Sequence, residues 1–230
     1  MDLFGNIQKR QIMNYNILGT GSSGNCVIIN DNMMLDCGLP YTRIKKYLKN
    51  VKLIFISHRH TDHLNPTTIK QIAYNYPTIK FVYNDKDYEI TDILVKNGIN
   101  KKNIYAIDQY RWFNFGLCKI KLEELQHDCL NSLCKLEIDN KKLIYITDTG
   151  SVSDIEAKNY DYYLVEANYH SREELEKQIQ EAEEKGEFTH LKSVLYTHLC
   201  EEDCIDWLKT QMNDNSEYQF IHQHVDKEVK

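Results

Sequence analysis

The segment from Ser57 to His63, with the sequence SHRHTDH, concentrates side chains that bind metal ions. It follows the apolar run LIFI, whose length and composition are typical of a buried strand. Alternate residues of an extended chain point the same way, so His58 and His60 can hold one ion together. Asp62 and His63 come one turn later and can reach a second ion. The spacing therefore predicts a metal centre at the exit of a strand.

The donor atoms indicate which ions this centre would take. Imidazole nitrogen and carboxylate oxygen suit Zn²⁺, and also Mn²⁺ or iron. A lone His-x-His pair is often a chance feature of a surface loop, but the full H-x-H-x-D-H pattern directly after an apolar strand favours metal binding. We expect two divalent metal ions, with Zn²⁺ preferred and Mn²⁺ as the alternative.

Composition narrows the class of protein. The chain has 230 residues, which suffices for one layered domain with a sizeable core. Its formal net charge of −6 argues against a broad basic track for long DNA or RNA, but does not exclude a local basic patch. Seven cysteines without a C-x-x-C pair predict reduced thiols, packed mostly as small hydrophobic groups in a cytosolic protein. No stretch approaches transmembrane length and no export signal is recognised, so we expect a cytoplasmic location without membrane association.

Short apolar runs separated by turns predict two β-rich halves with helices between some of the strands. Strands are expected at 15–18, 27–29, 33–35, 53–56, 79–83, 104–107, 111–115, 118–125, 133–138, 143–147, 162–166 and 218–221. Helices are expected at 41–49, 67–76, 87–96, 171–185 and 201–211. Ser171 and Glu174 form a capping box for the fourth of these helices. We expect one domain over residues 1–230, with residues 1–12 as a short N-terminal extension.

The H-x-H-x-D-H segment resembles the hallmark motif of the metallo-β-lactamase superfamily. Two further segments are similar to its YycJ-like (WalJ-like) and RNase Z branch. Gly19 to Asn25 (GTGSSGN) resembles a G-S-x-S-x-G-N turn, and Leu35 to Gly38 (LDCG) resembles an L-x-D-x-G strand end. The resemblance runs from Asn14 to about Asp226. It implies an α/β fold in which two sheets are packed between helices, an αββα four-layer sandwich.

The same resemblance implies a full set of metal ligands. His127, in LQHD at a strand end, resembles the third-motif histidine, and Asp148, in TDTG, resembles the aspartate that bridges both ions. The segment FIHQHV resembles the terminal strand that carries the last ligand. We expect that ligand to be His224 rather than His222, because His224 lies past the strand end. The predicted ligands are His58, His60 and His127 for one ion, Asp62, His63 and His224 for the other, and Asp148 for both.

The resemblance also implies a mechanism, in which the ions lower the pKa of a shared water and the resulting metal-bridging hydroxide attacks a phosphodiester. Asp62 would both bind metal and orient this nucleophile. His198, in THLCEE, resembles a histidine that stabilises charge at the scissile phosphate in RNase Z, and helix capping is its alternative role. Asp36 is either a support for the ligands or a simple turn residue. Glu166 and Asn168, in VEAN, are expected to support the site.

The substrate has to be argued separately from the fold. The predicted bridging residue is Asp148 and not a cysteine, which favours phosphodiesters over β-lactams as substrates. The 76 residues from Asp148 to His224 (224 minus 148) leave no room for the inserted domain of β-CASP nucleases. With the acidic charge, this favours a small nucleotide substrate such as the cyclic nucleotides of phage anti-Pycsar phosphodiesterases. Those proteins are small dimers, so a homodimer is expected. The alternative is a YycJ-like DNA or RNA exonuclease. A thioester or lactone hydrolase and a non-catalytic metal-binding protein are the remaining readings.

Overall fold

In the part of the chain that the structure describes, the strands form two sheets of six strands each. The computed structural model describes residues 13–187, 189 and 191–222. The first sheet contains, in sequence order, β1 (Tyr15–Gly19), β2 (Cys26–Ile29), β3 (Met33–Leu35), β4 (Leu53–Phe55), β5 (Lys80–Asn84) and β6 (Ile104–Ile107). The second contains, in the order β12-β11-β10-β9-β8-β7, the strands β7 (Phe113–Asn114), β8 (Lys119–Leu125), β9 (Asn131–Ile138), β10 (Lys141–Ile146), β11 (Tyr162–Glu166) and β12 (Glu217–Ile221).

Helices accompany each sheet. The described helices are α1 (Tyr41–Leu48), α2 (Pro66–Asn75), α3 (Tyr88–Lys96), α4 (Arg172–Glu184), α5 (Leu191–Thr197) and α6 (Glu201–Gln211), with a 3₁₀ turn at Lys101–Asn103. The first three follow strands of the first sheet, and the last three lie between β11 and β12 of the second.

Alternating side chains of the strands divide the core into layers. Leu53 and Phe55 of β4 lie in an apolar cluster that contains residues of both sheets, whereas Ile54 joins a cluster with the buried faces of α1, α2 and α3. Ile144 of β10 likewise belongs to a third cluster, which includes Trp207 of α6. Because successive side chains of a strand point to opposite faces, each sheet buries one face against the other sheet and one against helices. This confirms the predicted αββα sandwich.

The parallel strands set the position of the site. Strands β3, β4, β5 and β6 pair in parallel, and so do β10, β11 and β12. The carboxyl ends of parallel strands lie at one edge of their sheet, and loops at such an edge are where α/β proteins place ligands. The segment Ser57 to His63 follows β4 at this edge, which agrees with the sequence prediction.

Several local features bear on the sequence predictions. Ser171 accepts a hydrogen bond on Oγ from the backbone N–H of Glu174 at 3.2 Å, as expected for the start of α4. None of the seven cysteines forms a disulfide, and all seven lie in the described residues. Among the described residues, no helix is long and apolar enough to span a bilayer. Helix α5 was not expected, and the proposed extension at residues 1–12 lies outside the described residues.

Candidate metal centre

Three histidines bring one nitrogen each to a common point. Nε2 of His58 lies 3.1 Å from Nδ1 of His60, and Nε2 of His127 lies 3.3 Å from the same His60 atom. Zn–N bonds of about 2.0–2.1 Å in a tetrahedral arrangement place nitrogens about 3.3–3.4 Å apart. The three imidazoles are therefore spaced as ligands of one ion.

The outer nitrogens of these rings are held by other groups. Nδ1 of His127 lies 3.2 Å from the carbonyl oxygen of Thr197, and Nε2 of His60 lies 3.3 Å from Oδ1 of Asp128. A hydrogen bond on one ring nitrogen fixes the tautomer and leaves the other nitrogen free to bind a metal. These partners thus orient His127 and His60 towards the shared point.

Asp148 lies between two groups of imidazoles. Its Oδ2 is 3.2 Å from Nε2 of His63 and 3.6 Å from Nε2 of His58, and its Oδ1 is 2.7 Å from Nδ1 of His222. Burial would raise the pKa of Asp148, but the neighbouring His63 and His222 outweigh it and hold this pKa well below its usual value. The carboxylate is therefore ionised and reaches both donor groups.

The backbone at Asp148 is held in an uncommon conformation. Its φ of 51° lies in the left-handed region, and Asn131 donates a hydrogen bond from Nδ2 to the Asp148 carbonyl at 2.7 Å. Thr147 donates from Oγ1 to Oδ1 of Asp148 at 2.8 Å. Non-glycine residues with positive φ are sparse and concentrate at functional sites. The strand-end turn thus aims the carboxylate into the centre.

Asp36 is a fully buried support for His63. Oδ2 of Asp36 lies 2.7 Å from Nδ1 of His63 and accepts hydrogen bonds from Ser57 Oγ at 2.9 Å and Tyr145 Oη at 2.8 Å. Oδ1 accepts from the Ser57 backbone N–H at 2.8 Å. This network fixes the His63 ring and leaves its Nε2 facing Asp148, so the simple-turn interpretation of Asp36 is insufficient.

Asp62 lies at the rim of the centre. Its Oδ2 is 3.6 Å from Nε2 of His63, and its side chain is 23% exposed. Its backbone carbonyl accepts a hydrogen bond from the N–H of Asn25 at 2.7 Å. Among the described residues, three groups of side chains have ligand atoms within 4.8 Å of one another, and Asp62 belongs to none of them. Asp62 is thus adjacent to a donor group and more open to solvent than His58 and His63.

His198 is coupled to a buried carboxylate. Its Nδ1 lies 2.5 Å from Oε1 of Glu166, whose other oxygen accepts a hydrogen bond from the backbone N–H of Thr149 at 2.8 Å. Burial would lower the pKa of His198, but the hydrogen bond and the charge of Glu166 outweigh it and raise this pKa. Burial also raises the pKa of Glu166. His198 thus faces the centre as a readily protonated group.

A cavity of about 280 Å³ joins these side chains. It is lined by Ser22, His60, Asp62, His127, Asp128, Asp148, Ser193, Val194, Thr197, His198 and His222. A larger cavity of about 770 Å³, lined in part by Tyr196 and Trp207, contains none of the predicted ligands. Of the two cavities, the small one is lined by predicted metal ligands, among them His60, Asp62, His127 and Asp148.

Two nearby groups were not among the predicted ligands. His222 directly follows β12, has a φ of 55° and reaches Asp148, whereas His224 lies outside the described residues. Cys129 was not singled out, yet it groups with His58, His60 and His127. Burial raises the pKa of its thiol to about 12. The sequence signal for Cys129 is its position two residues after His127, in the pattern H-D-C.

Comparison with known proteins decides the family. Residues 32–211 match the family model described as the beta-lactamase superfamily domain. The chain belongs to this family. Exodeoxyribonuclease WalJ of Streptococcus pneumoniae is 28% identical over 172 residues, which are 67% of this chain and 62% of WalJ. The chain therefore spans about three-fifths of the length of this relative.

Solved structures of this superfamily share the fold. The metallo-β-lactamase fold protein YhfI from Bacillus subtilis superposes with a TM-score of 0.70 at 15% identity, over 92% of this chain and 86% of YhfI. The short form of human tRNase Z superposes with a TM-score of 0.64 at 16% identity, over 91% of this chain and 92% of that protein. These likenesses confirm the metallo-β-lactamase fold.

The fold family implies divalent metal ions, and the side chains fit them. The donors are imidazole nitrogens and a carboxylate, the set that suits Zn²⁺ and related ions. One group joins His58, His60, His127 and Cys129, a second joins His58, His63 and Asp148, and a third joins Asp148, Glu166, His198 and His222. Two of these groups share Asp148, so the arrangement suits a centre with more than one ion.

Proposed function

We propose that this chain is a metal-dependent phosphodiesterase that acts on nucleic acid from its ends. The observation that carries the proposal is the position of Asp148, whose carboxylate contacts His58 from one predicted ligand set and His63 and His222 from the other. A carboxylate shared between two donor groups is suited to bind two ions at once. Two-metal sites are widely used for displacement at phosphorus.

We assign the ligands in two sets that share Asp148. His58, His60 and His127 would hold one ion, and Asp62, His63 and His222 the other. His222 replaces His224 in this proposal because its imidazole contacts Asp148. Asp62 is retained because its carboxylate lies beside Nε2 of His63 at the open side of the cavity. When bound, the ions would polarise the phosphodiester and lower the pKa of the attacking water.

His198 would act on the phosphate itself. Its Nδ1 is occupied by Glu166, which leaves Nε2 as the nitrogen available to a phosphate oxygen in the cavity. The raised pKa keeps this imidazole protonated over a wider pH range, so it can neutralise charge or give a proton to the leaving oxygen. Glu166 orients His198 and stabilises its charged form.

The relatives favour nucleic acid over a compact substrate. WalJ is an exodeoxyribonuclease, and it shares 28% identity with this chain. The sequence expectation of a cyclic nucleotide gains no support from the relatives found, although the small cavity of about 280 Å³ would accept a single nucleotide. We therefore favour an exonuclease and keep the cyclic nucleotide as the second candidate. The expected homodimer stays a prediction, which light scattering of the purified protein measures.

A substrate panel tests the proposal. Protein loaded with Zn²⁺ or Mn²⁺ is incubated with linear single- and double-stranded DNA, closed circular DNA, linear RNA, cyclic mononucleotides and bis(p-nitrophenyl) phosphate. We expect linear DNA to be degraded to short products while circular DNA stays intact. Asp148→Ala should abolish all turnover, and Glu124→Ala, an exposed change on β8, should preserve it. Turnover of cyclic nucleotides with intact linear DNA would replace the proposal by the second candidate.

A further inference from the structure

Cys129 lies among the nitrogens of the three-histidine group. Its Sγ and the ligand nitrogens of His58, His60 and His127 all lie within 4.8 Å of one another. Cys129 and His127 belong to the same short turn after β8, so one turn delivers both donors. The four atoms form a set of three nitrogens and one sulfur, donor types that Zn²⁺ binds in proteins.

The surroundings of Cys129 keep its side chain near this point. The side chain is partly buried and hydrogen-bonds to Asp128, whose carboxylate also lies 3.3 Å from Nε2 of His60 and from Nε2 of His127. Asp128 thus ties the thiol to two of the three histidines.

We propose that Cys129 is a further protein ligand, beside the shared Asp148, of the ion held by His58, His60 and His127. The thiol proton is released to solvent when the sulfur binds, as metal coordination by cysteine requires. This inference rests on one part of the proposed function, the binding of an ion by the three histidines. It is independent of the substrate and of the catalytic role of His198.

A sulfur ligand changes which metal this position selects. Thiolates favour Zn²⁺ and other soft ions, whereas Mn²⁺ prefers oxygen donors. Cys129 therefore makes the three-histidine position selective for zinc.

Cobalt substitution tests this ligand directly. Metal-free protein is titrated with Co²⁺ and its absorption spectrum is recorded. We expect the wild type to show an intense thiolate-to-cobalt charge-transfer band, and Cys129→Ser to lose it while keeping the weaker bands of cobalt bound to nitrogen. Cys118→Ala, which removes a thiol from the core between the sheets, is the matched control and should keep the band.

Metal affinity gives the second readout. Competition with a chromophoric chelator should show that Cys129→Ser weakens Zn²⁺ binding by at least the roughly 10- to 100-fold that the loss of an outer partner of a ligand costs. Mn²⁺ binding should change much less. Cys129→His, which restores a donor at this position, should recover Zn²⁺ affinity without the charge-transfer band. Circular dichroism of each variant separates loss of a ligand from loss of folding.

The outcomes separate this inference from the wider proposal. Cobalt binding without a charge-transfer band in the wild type, or with the same band in Cys129→Ser, overturns the role of Cys129 and leaves the metal centre intact. Failure of the wild type to bind cobalt or zinc at all overturns both the role of Cys129 and the proposed function.

Discussion

Oε1 of the buried Glu166 lies 2.5 Å from Nδ1 of His198, and the two residues are 32 positions apart in sequence. Glu166 ends strand β11, and His198 directly follows helix α5. The pair therefore couples the second sheet to a helical segment that borders the cavity. Glu166 is held in turn by the N–H of Thr149, next to Asp148, so the same turn positions the carboxylate and the imidazole.

Replacement of Glu166 by Gln should weaken catalysis and move its pH dependence. The carboxylate raises the pKa of His198 against the opposing effect of burial, so its removal should lower that pKa. If protonated His198 is required, the alkaline limb of the kcat profile then shifts to lower pH. We expect kcat at pH 8 to fall by about 10- to 100-fold, the usual effect of losing an outer partner. Steady-state hydrolysis of a small phosphodiester between pH 6 and 9 measures this.

The matched control for this change is Glu124→Gln, which removes the same charge from an exposed position on β8. Its pH profile should coincide with that of the wild type. An unchanged alkaline limb in Glu166→Gln would show that His198 is not the protonated group in the reaction.

Replacement of Asp36 by Asn should weaken metal binding and folding together. Asp36 accepts hydrogen bonds from Ser57 and Tyr145 and pairs with His63, all in a fully buried setting. Removing one partner of a buried ion pair costs about 3–5 kcal/mol, so the metal-free variant should unfold at lower urea concentration. Zn²⁺ affinity should fall by about 10- to 100-fold, because the His63 ring loses its orienting partner.

Tyr145→Phe separates this effect from general loss of packing. It removes one donor to Asp36 and leaves the other partners in place, so its cost should be about 1 kcal/mol. Urea unfolding in the presence of a chelator, together with zinc titration, measures both quantities. Equal effects of the two variants would contradict the special role of the Asp36–His63 pair.

How much of the site the sequence could predict depends on how far apart its residues lie along the chain. The segment SHRHTDH was predictable because its donors lie within one loop after one strand, where the period-two geometry of the backbone applies. The pairing of Glu166 with His198, and of Asp36 with Tyr145, depends on the packing of separate elements. No local pattern in the sequence carries those distances.

The choice between His222 and His224 as the last ligand could not be made from local sequence alone. The sequence predicted His224 because it lies past the end of the terminal strand, but His222 also follows β12, so this rule does not separate the two. The positive φ of His222 turns the chain at the end of β12 and directs this imidazole to Asp148. His224 lies outside the described residues.

Helix α5 was missed for a different reason. Its sequence, LKSVLYT, has seven residues and contains Val, Tyr and Thr, which suit strands as well as helices. Short segments of this kind are decided by tertiary contacts, here the hydrogen bond that Gln126 donates from Nε2 to the carbonyl of Tyr196 at 3.0 Å.

Metal binding should release a proton and should strengthen as pH rises. Burial acts to lower the pKa of His63, but Asp148 and Asp36 outweigh it and raise this pKa well above its usual value. His63 is therefore protonated at neutral pH in the metal-free protein, and a bound ion must displace that proton. Zinc addition to weakly buffered protein with a pH indicator measures the release. In Asp36→Asn, where the pKa of His63 is less raised, fewer protons should be released.

The same pKa shift predicts how the metal-free protein responds to pH. A raised folded-state pKa contributes stability that is fully present below the unfolded value of about 6.5 and is lost as pH rises through the folded value. The free energy of unfolding of the metal-free protein should therefore fall as pH rises above about 6.5. Urea unfolding at several pH values checks this, and a stability that rises through that window would exclude a protonated His63.

Gly38 should be intolerant of any side chain, because it lies directly against the loop that carries Asp62. A Cβ built at Gly38 would be 1.6 Å from the carbonyl oxygen of Asp62, which is backbone and is also bound by the N–H of Asn25. Gly38→Ala must therefore push the loop outward, with an expected cost of about 3 kcal/mol or more. Moving the loop also displaces Asp62 and His63, so zinc affinity should fall with stability.

Gly116→Ala is the matched comparison for this prediction, since Gly116 has a φ of 82° but no atom within 4 Å of an added Cβ. Its cost is the backbone strain of a left-handed residue, about 1–2 kcal/mol, and it is remote from the ligands. Thermal unfolding and zinc titration of both variants separate a clash at the centre from strain at a turn. If Gly38→Ala kept the zinc affinity of the wild type, the histidine-rich loop could shift without disturbing the donor atoms. The cost of the substitution would then be confined to the free energy of folding.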